Sequence, residues 1–267
     1  AHNIFRLMQD SPMVDSHADC EKVQDPYSLR CAPQVHGASR NAFVHACEIT
    51  EIECNSATDN PLLFADGPEK NDLDILSGGN FHGQPIALIA DYCGIALAEL
   101  ANISERRIEQ LVNPALSSGL PPFLSPNSGL NSGFMIAQVT AAALVSENKV
   151  LAHPASVDSI PSSANREDHV SMGTIAARKA RVILEHVETV IGIELMCAVQ
   201  GIDLRRPLTC NEAIEAAHAV VRQEISSLKE DRFLQADIES ATELVRSGAI
   251  VDAVESLMGS LDETVSS

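Results

Sequence analysis

The sequence is poor in aromatic residues and in basic residues. Only 3% of its 267 residues are aromatic and none is tryptophan, so a core has to be built mainly from alanine, leucine, isoleucine and valine. Alanine and leucine favour helix. The chain has 18 Lys and Arg against 37 Asp and Glu, a formal net charge of −19. This balance is poorly suited to binding phosphates, so we expect no nucleic acid and no anionic membrane as partner.

Long apolar runs and paired cysteines are also missing. The two most apolar stretches, 86–98 and 135–145, are interrupted by polar residues such as Asp91, and neither reaches the roughly 18 apolar residues of a membrane span. The seven cysteines have no Cys-x-x-Cys spacing, so we expect reduced thiols and no metal site. The sequence has no secretory signal, so we expect a cytoplasmic chain. The missing initial Met fits either removal of that residue or a chain that begins within a longer protein.

Apolar residues make up 45% of the chain and recur at helical spacing in several long segments. No alternating apolar pattern longer than a few residues indicates a strand. The sequence therefore predicts an all-α fold, a bundle of long helices that forms a single helical domain over residues 1–267. The predicted helices cover 38–55, 85–112, 134–151, about 168–200, 211–229 and 237–247.

Polar connections rich in glycine and proline separate these helices, and loops held by rigid helices commonly carry the chemistry of a protein. The connections cover 24–34, 55–72, 77–85, 113–133 and 153–168.

The first connection places a tyrosine hydroxyl and a guanidinium three residues apart. Tyr27 and Arg30 follow Pro26, which favours a turn. An arginine can bind a carboxylate through two parallel hydrogen bonds, and a nearby tyrosine can act as a general acid or base. The structural alternative is a surface loop in which Arg30 pairs with Asp25. The spacing alone favours this alternative.

The last connection ends in Ser-Ser-Ala-Asn-Arg-Glu-Asp-His over residues 162–169. Capping residues and acids are typical of the first turn of a helix, so Glu167 and Asp168 fit an ordinary helix start. Alternatively, Glu167 extends from the helix start into a pocket, where it binds a hydrogen-bonding ring or takes a proton. The pattern leaves both interpretations open.

Two further turns carry unusual polar residues. The segment 77–83 contains adjacent glycines but matches neither a P-loop nor a dinucleotide-binding pattern, so we predict a tight turn that presents Phe81 and His82. His82 has no partner at the spacing of a metal site. The asparagine-rich segment 55–61 fits ordinary turn chemistry.

Taken in order, these segments resemble the aromatic amino acid lyase family, and its histidine ammonia-lyase branch in particular. The resemblance extends over about 24–207, is to the C-terminal half of such an enzyme, and implies an all-α fold like that of L-aspartase and fumarase in a homotetramer. It also implies deamination of an α-amino acid, which for histidine gives trans-urocanate and ammonia. The motifs are QDPYSLRCAPQ, NSATDNP, GGNFHGQP, SSGLPPFL with NSGF, and HPASVDSIPSSANREDHVSMG.

The resemblance implies roles for five residues. Tyr27 corresponds to a catalytic tyrosine near the substrate β-carbon, and Arg30 to the residue that binds the substrate carboxylate. Gln24 corresponds to a residue beside the electrophilic ring of the family, and Phe81 to one that walls its pocket. Glu167 falls where histidine-specific members carry a glutamate that faces the imidazole.

The resemblance also implies a cofactor that this chain does not form. The family's electrophile, 4-methylideneimidazol-5-one (MIO), arises from Ala-Ser-Gly, whereas residues 38–40 are Ala-Ser-Arg and residues 155–157 are Ala-Ser-Val. We therefore expect the cofactor in a separate N-terminal half, other subunits as partners, and no lyase activity for this chain alone. Arg166 also departs from the family pattern, which has glutamine there.

Two alternatives remain open. One is a lyase or aminomutase that acts on tyrosine or phenylalanine, for which Glu167 would have no use. The other is a non-catalytic helical assembly module, which needs the apolar stripes but not the polar motifs.

Overall fold

A computed structural model describes residues 1–20, 22–65 and 73–261 of the chain. Within these residues the protein is mostly helical, which confirms the predicted all-α class. The helices are α1 (His2–Met8), α2 (Pro12–Asp15), α3 (Tyr27–Arg30), α4 (Ala32–Cys54), α5 (Gln84–Val112), α6 (Met135–Leu151), α7 (Gly173–Leu204), α8 (Glu212–Glu224), α9 (Gln235–Ser247) and α10 (Ala249–Met258). Two single 3₁₀ turns cover Pro122–Leu124 and Ser163–Asn165.

A short antiparallel hairpin accompanies the helices. Strand β1 (Leu62–Phe64) pairs with β2 (Asp74–Leu76), with Leu63 opposite Ile75. Strands of three residues are too short to produce a recognisable alternation in the sequence. Residues 66–72, which belong to the predicted connection 55–72, lie outside the described residues.

Helix boundaries differ from the prediction at several places. Helix α8 ends at Glu224 rather than at residue 229, because the backbone of Ile225 is extended (φ −126°, ψ 111°). Helix α4 begins at Ala32 rather than at residue 38, because Pro33 is compatible with the first turn of a helix. Helix α7 begins at Gly173, so the predicted start near Asp168 was wrong. The unpredicted α10 begins directly after Gly248, whose left-handed backbone (φ 78°) ends α9.

The chain divides into two compact units. The first contains Ala1–Val35, Leu100–Glu147 and Glu185–Ser267, and the second contains His36–Glu99 and Asn148–Leu184. Helices α4, α5, α6 and α7 have residues in both units. The single domain expected from the sequence stays a prediction.

The core of the first unit includes one face of α7. Val190, Ile193 and Met196, spaced by three residues, are almost completely buried. A Cβ at Gly192 would lie 2.9 Å from the backbone nitrogen of Thr242 in α9. Only glycine fits at this distance, so Gly192 allows α7 and α9 to pack with their backbones close together.

A buried amide joins α7 to the segment after α8. Gln200 exposes 1% of its surface. Its Nε2 donates to the carbonyls of Leu124 (3.2 Å) and Leu228 (2.9 Å), and its Oε1 accepts from the Leu228 N–H (3.0 Å) and the Ser227 hydroxyl (3.2 Å). The side chain therefore satisfies backbone groups that would otherwise be buried without partners.

A buried carboxylate has a similar role in the second unit. Asp91 in α5 exposes 6% of its surface, and its Oδ2 accepts from the Ser156 N–H (2.7 Å). The Lys179 ammonium of α7 lies 3.5 Å from Oδ1 and also donates to the His153 carbonyl. Burial acts to raise the pKa of Asp91, but hydrogen bonds from Ser156 and Ala155 and the charge of Lys179 lower it below its usual value.

Among the described residues, one helix is long and apolar enough to cross a membrane by length and composition. It is α5, in which 39% of the most apolar 18-residue window is buried. A core helix has the same properties, and Ala87, Ala101 and Ile108 on α5 are fully buried. We therefore interpret α5 as a core helix, and the charged residues within it, such as Asp91, are paired inside the fold.

We expect Gln200→Leu to lower the free energy of unfolding by about 2–4 kcal/mol, because it leaves the backbone groups of Leu228 and Leu124 buried without partners. Urea denaturation of the purified protein measures the change. The control is Gln223→Leu on the exposed face of α8, which should change stability by no more than about 0.5 kcal/mol. Equal effects of the two substitutions would contradict the role assigned to Gln200.

We expect Asp91 to make stability depend on pH. Because its folded pKa lies below the unfolded value of about 4, its contribution is complete above that pH and is lost as the pH falls through the folded pKa. The stability difference between the wild type and Asp91→Asn should therefore shrink below about pH 4, as measured by urea denaturation from pH 7 to pH 3. Asp252→Asn, an exposed change on α10, should show a much weaker trend. A difference for Asp91→Asn that does not vary with pH would refute this account.

Candidate active site

Tyr27 and Arg30 form the two ends of the single-turn helix α3, which begins after Pro26. The Arg30 guanidinium carbon lies 4.4 Å from the centroid of the Tyr27 ring, a cation–π contact. Tyr27 exposes 70% of its surface. Among the described residues Arg30 forms no ion pair with Asp25, so that part of the surface-loop alternative is wrong, whereas the exposed Tyr27 agrees with it. The Arg30 N–H groups are therefore available to an external carboxylate.

Two cavities of the first unit adjoin α3. Gln24 lines a cavity of about 590 Å³ together with Asp25 and Pro26. Arg30 lines a second one of about 440 Å³. Leu29 contributes to both. The predicted residues Gln24 and Arg30 thus lie on open concave surfaces rather than in the packed core.

Glu167 belongs to a tight loop and not to a helix start. It precedes the first residue of α7 by six positions, so its interpretation as first-turn decoration was wrong. The Ser162 N–H donates to the Glu167 carbonyl (2.8 Å), and the Glu167 N–H donates to the Ser162 carbonyl (3.3 Å). Between them, Ser163, Ala164 and Asn165 have left-handed backbones with φ of 51°, 53° and 68°. Such a run is costly for residues other than glycine and needs the contacts around it.

Hydrogen bonds from side chains hold the two ends of this loop. The Ser159 hydroxyl donates to the Val170 carbonyl (3.0 Å) and accepts from the Val170 N–H (2.8 Å). His82 Nε2 lies 2.7 Å from the His169 carbonyl, which can only accept, so His82 carries a proton on Nε2. The two imidazole rings stack with centroids 5.5 Å apart. The segment that carries Glu167 is therefore tied to the start of α5.

Phe81 lies beside this contact and exposes 52% of its surface. The glycine-rich turn that carries it is held by the asparagine-rich segment 55–61. Asn60 Oδ1 accepts from the Gly78 N–H (3.2 Å), and Asn80 donates to a backbone carbonyl of that segment (2.6 Å). The asparagines thus have the turn-forming role that the sequence indicates, and they present Phe81 with an open aromatic face.

The five predicted residues are distributed over both units. Gln24, Tyr27 and Arg30 lie in the first, and Phe81 and Glu167 lie in the second. Their roles stay predictions. In the part of the chain that the structure describes, no group of three or more His, Cys, Asp or Glu residues could hold a metal ion.

Sequence reasoning assigned no role in the site to Ser159, Ser162 or His169, although the last two lie in the segment 162–169. The partners of the two serines lie 11 and 5 residues away. These pairs could be recognised only if the segment were predicted as a loop rather than as the start of a helix. The contact between His82 and His169 spans 87 residues, so no local spacing could have indicated it.

Comparisons with known proteins agree with this architecture. The family described as aromatic amino acid lyase matches residues 1–223. Over 98% of this chain, the sequence is 58% identical to a histidine ammonia-lyase of Sorangium cellulosum. It is 56% identical to one of Natranaerobius thermophilus, also over 98% of this chain. It spans about half the length of these relatives, 51% and 50% respectively.

Solved structures give the same result for the fold. The crystal structure of histidine ammonia-lyase from Trypanosoma cruzi is 54% identical with a TM-score of 0.82, over 87% of this chain and 45% of that one. Tyrosine aminomutase from Streptomyces globisporus is 36% identical with a TM-score of 0.85, over 96% and 51%.

The chain therefore belongs to the aromatic amino acid lyase family, and the predicted all-α fold of the fumarase type is confirmed. Within that family it is similar to about half of a histidine ammonia-lyase.

We expect Ser159→Ala to loosen the loop that carries Glu167, because the hydroxyl makes both hydrogen bonds to Val170. Hydrogen–deuterium exchange should be faster over 160–170 in this variant. The control is Ser163→Ala, the same chemical change at an exposed side chain of the loop, which should leave exchange nearly unchanged. Equal protection of the loop in both variants would show that Ser159 does not hold it.

Proposed function

We propose that this chain is the C-terminal part of a histidine ammonia-lyase, which as a complete enzyme deaminates L-histidine to trans-urocanate and ammonia. The observation that carries the proposal is the 58% identity to a histidine ammonia-lyase over 98% of the chain. The identity to the tyrosine aminomutase of similar fold is lower, at 36%.

Arg30 is proposed to bind the substrate carboxylate. Its guanidinium lies over the Tyr27 ring, and its N–H groups make no hydrogen bond with the described residues. A planar guanidinium matches the geometry of a carboxylate and can bind it through two parallel hydrogen bonds. Binding here would orient the α-carbon and β-carbon of the amino acid with respect to α3.

Tyr27 is proposed to take the β-proton. Elimination requires that a proton leave the β-carbon, that the bond between the α-carbon and nitrogen break, and that a double bond form between the two carbons. A general base has to lie within hydrogen-bond reach of the β-carbon, and the exposed Tyr27 hydroxyl is adjacent to the residue that would hold the carboxylate.

Glu167 is proposed to bind the imidazole of the substrate. One carboxylate oxygen accepts from Ser162, and the other has no partner among the described residues. It can therefore accept an N–H of an imidazole, which a phenyl ring cannot supply. A site with such a group discriminates strongly against substrates that leave it unpaired.

The cofactor of the proposed enzyme is MIO, which would supply the electrophile that activates the substrate amine. The chain contains no Ala-Ser-Gly from which this group forms, so we propose that it comes from an N-terminal half. Phe81 fits such a group, because its exposed ring can pack against a planar heterocycle, and Gln24 offers an exposed amide. We also propose a homotetramer and a cytoplasmic location.

The two tyrosines of the chain allow a matched test in the complete enzyme. We expect Tyr27→Phe to lower kcat for L-histidine by about 100-fold or more, and Tyr92→Phe, which changes the other tyrosine, to leave kcat nearly unchanged. Formation of trans-urocanate, followed by its absorbance, measures both rates. Near wild-type activity of Tyr27→Phe would favour the alternative of a non-catalytic assembly module.

Substrate comparison separates histidine from aromatic amino acids. The complete enzyme should turn over L-histidine with a higher kcat/KM than L-tyrosine or L-phenylalanine. A higher value for tyrosine, or formation of a β-amino acid, would replace the proposal with an aromatic lyase or an aminomutase. The isolated chain should form no urocanate until an N-terminal half is added.

A further inference from the structure

The carboxylate of Glu167 is held by one specific donor. The Ser162 hydroxyl donates to Oε2, while Oε1 has no partner among the described residues. A glutamate side chain has three rotatable bonds and is exposed here, so fixing it in one rotamer costs conformational entropy. The hydrogen bond from Ser162 therefore selects one orientation of a side chain that would otherwise sample many.

Ser162 itself is fixed by the backbone around it. Its N–H and carbonyl both pair with Glu167, and its carbonyl also accepts from the Asn165 N–H (2.9 Å). Its own backbone is extended, with φ −139° and ψ 178°. The backbone contacts therefore hold Ser162 in place independently of the hydrogen bond between its hydroxyl and the Glu167 side chain. The left-handed residues between the two positions bring the hydroxyl and the carboxylate together.

The loop as a whole is anchored at two further points. Ser159 and Val170 close its base through two hydrogen bonds, and His82 donates to the His169 carbonyl. These contacts restrict the backbone, but neither touches the Glu167 carboxylate. Among the described residues, Ser162 is the only side chain that donates a hydrogen bond to this carboxylate.

We propose that Ser162 is a positioning residue for substrate selection, which holds Oε2 of Glu167 so that Oε1 faces the imidazole of L-histidine. The inference rests on the proposed function. Ser162 does not contact the substrate, because it acts through Glu167. Its loss should therefore weaken binding more than it slows the chemical step.

The test uses the complete enzyme and three single variants. Ser162→Ala should raise KM for L-histidine about tenfold while kcat changes less than about threefold, because binding common to the ground and transition states is lost. Ser162→Thr keeps the hydroxyl in an extended backbone that suits a β-branched residue, and should restore KM to within about threefold. Ser163→Ala is the matched control and should resemble the wild type.

A double-mutant cycle separates positioning from general stability. In a Glu167→Ala background, Ser162→Ala should have no further effect on KM, because the carboxylate it positions is absent. Calorimetric titration with trans-urocanate should show the same pattern in Kd. Thermal denaturation should give nearly equal Tm values for Ser162→Ala and Ser163→Ala.

Several outcomes would overturn the inference. An unchanged KM in Ser162→Ala, with an active parent enzyme, would refute it and leave the proposed function intact. An effect that persists without the Glu167 carboxylate, or a fall in kcat that accompanies a lower Tm, would assign Ser162 a structural role instead. If the parent enzyme does not deaminate histidine, the proposed function fails and the inference fails with it.

Discussion

Asp91 is a carboxylate that is almost completely buried, and its immediate neighbours favour its ionised form. It accepts from the Ser156 N–H and lies near the Lys179 ammonium, so one carboxylate connects α5, the segment before the Glu167 loop, and α7. Removing one partner of a buried charged group leaves that charge buried and incompletely paired. The connection is therefore costly to break. The loop that carries Glu167 depends on this fixed segment at one end and on the contact between His82 and His169 near the other.

The helices follow from the composition. With 3% aromatic residues, the core relies on small and branched aliphatic side chains, and these allow backbones to approach as closely as Gly192 and Thr242 do. Such packing leaves few large side chains to fix the register of one helix against a loop. Buried polar groups such as Gln200 and Asp91 supply that specificity, because each accepts only one arrangement of partners.

The sequence predicts the helices well and the polar contacts poorly. A repeated apolar spacing identifies α5 and α6 to within one residue at each end, because burial of one face determines both the pattern and the helix. The start of α7 is misplaced because Glu167 and Asp168 suit a first helical turn by charge, whereas three left-handed residues and the pairing of Ser162 with Glu167 produce a loop. Of the candidate site, motif order indicates Tyr27 and Arg30 as neighbours, but only coordinates show that they stack.

We propose that this chain, which is similar to about half of a histidine ammonia-lyase, carries side chains that recognise histidine. A crystal structure of the complete enzyme with L-histidine bound tests it most directly. We predict an imidazole N–H within hydrogen-bond distance of Glu167 Oε1, with the Ser162 hydroxyl still on Oε2. An imidazole that contacts other residues, with Glu167 turned to solvent, would contradict the account.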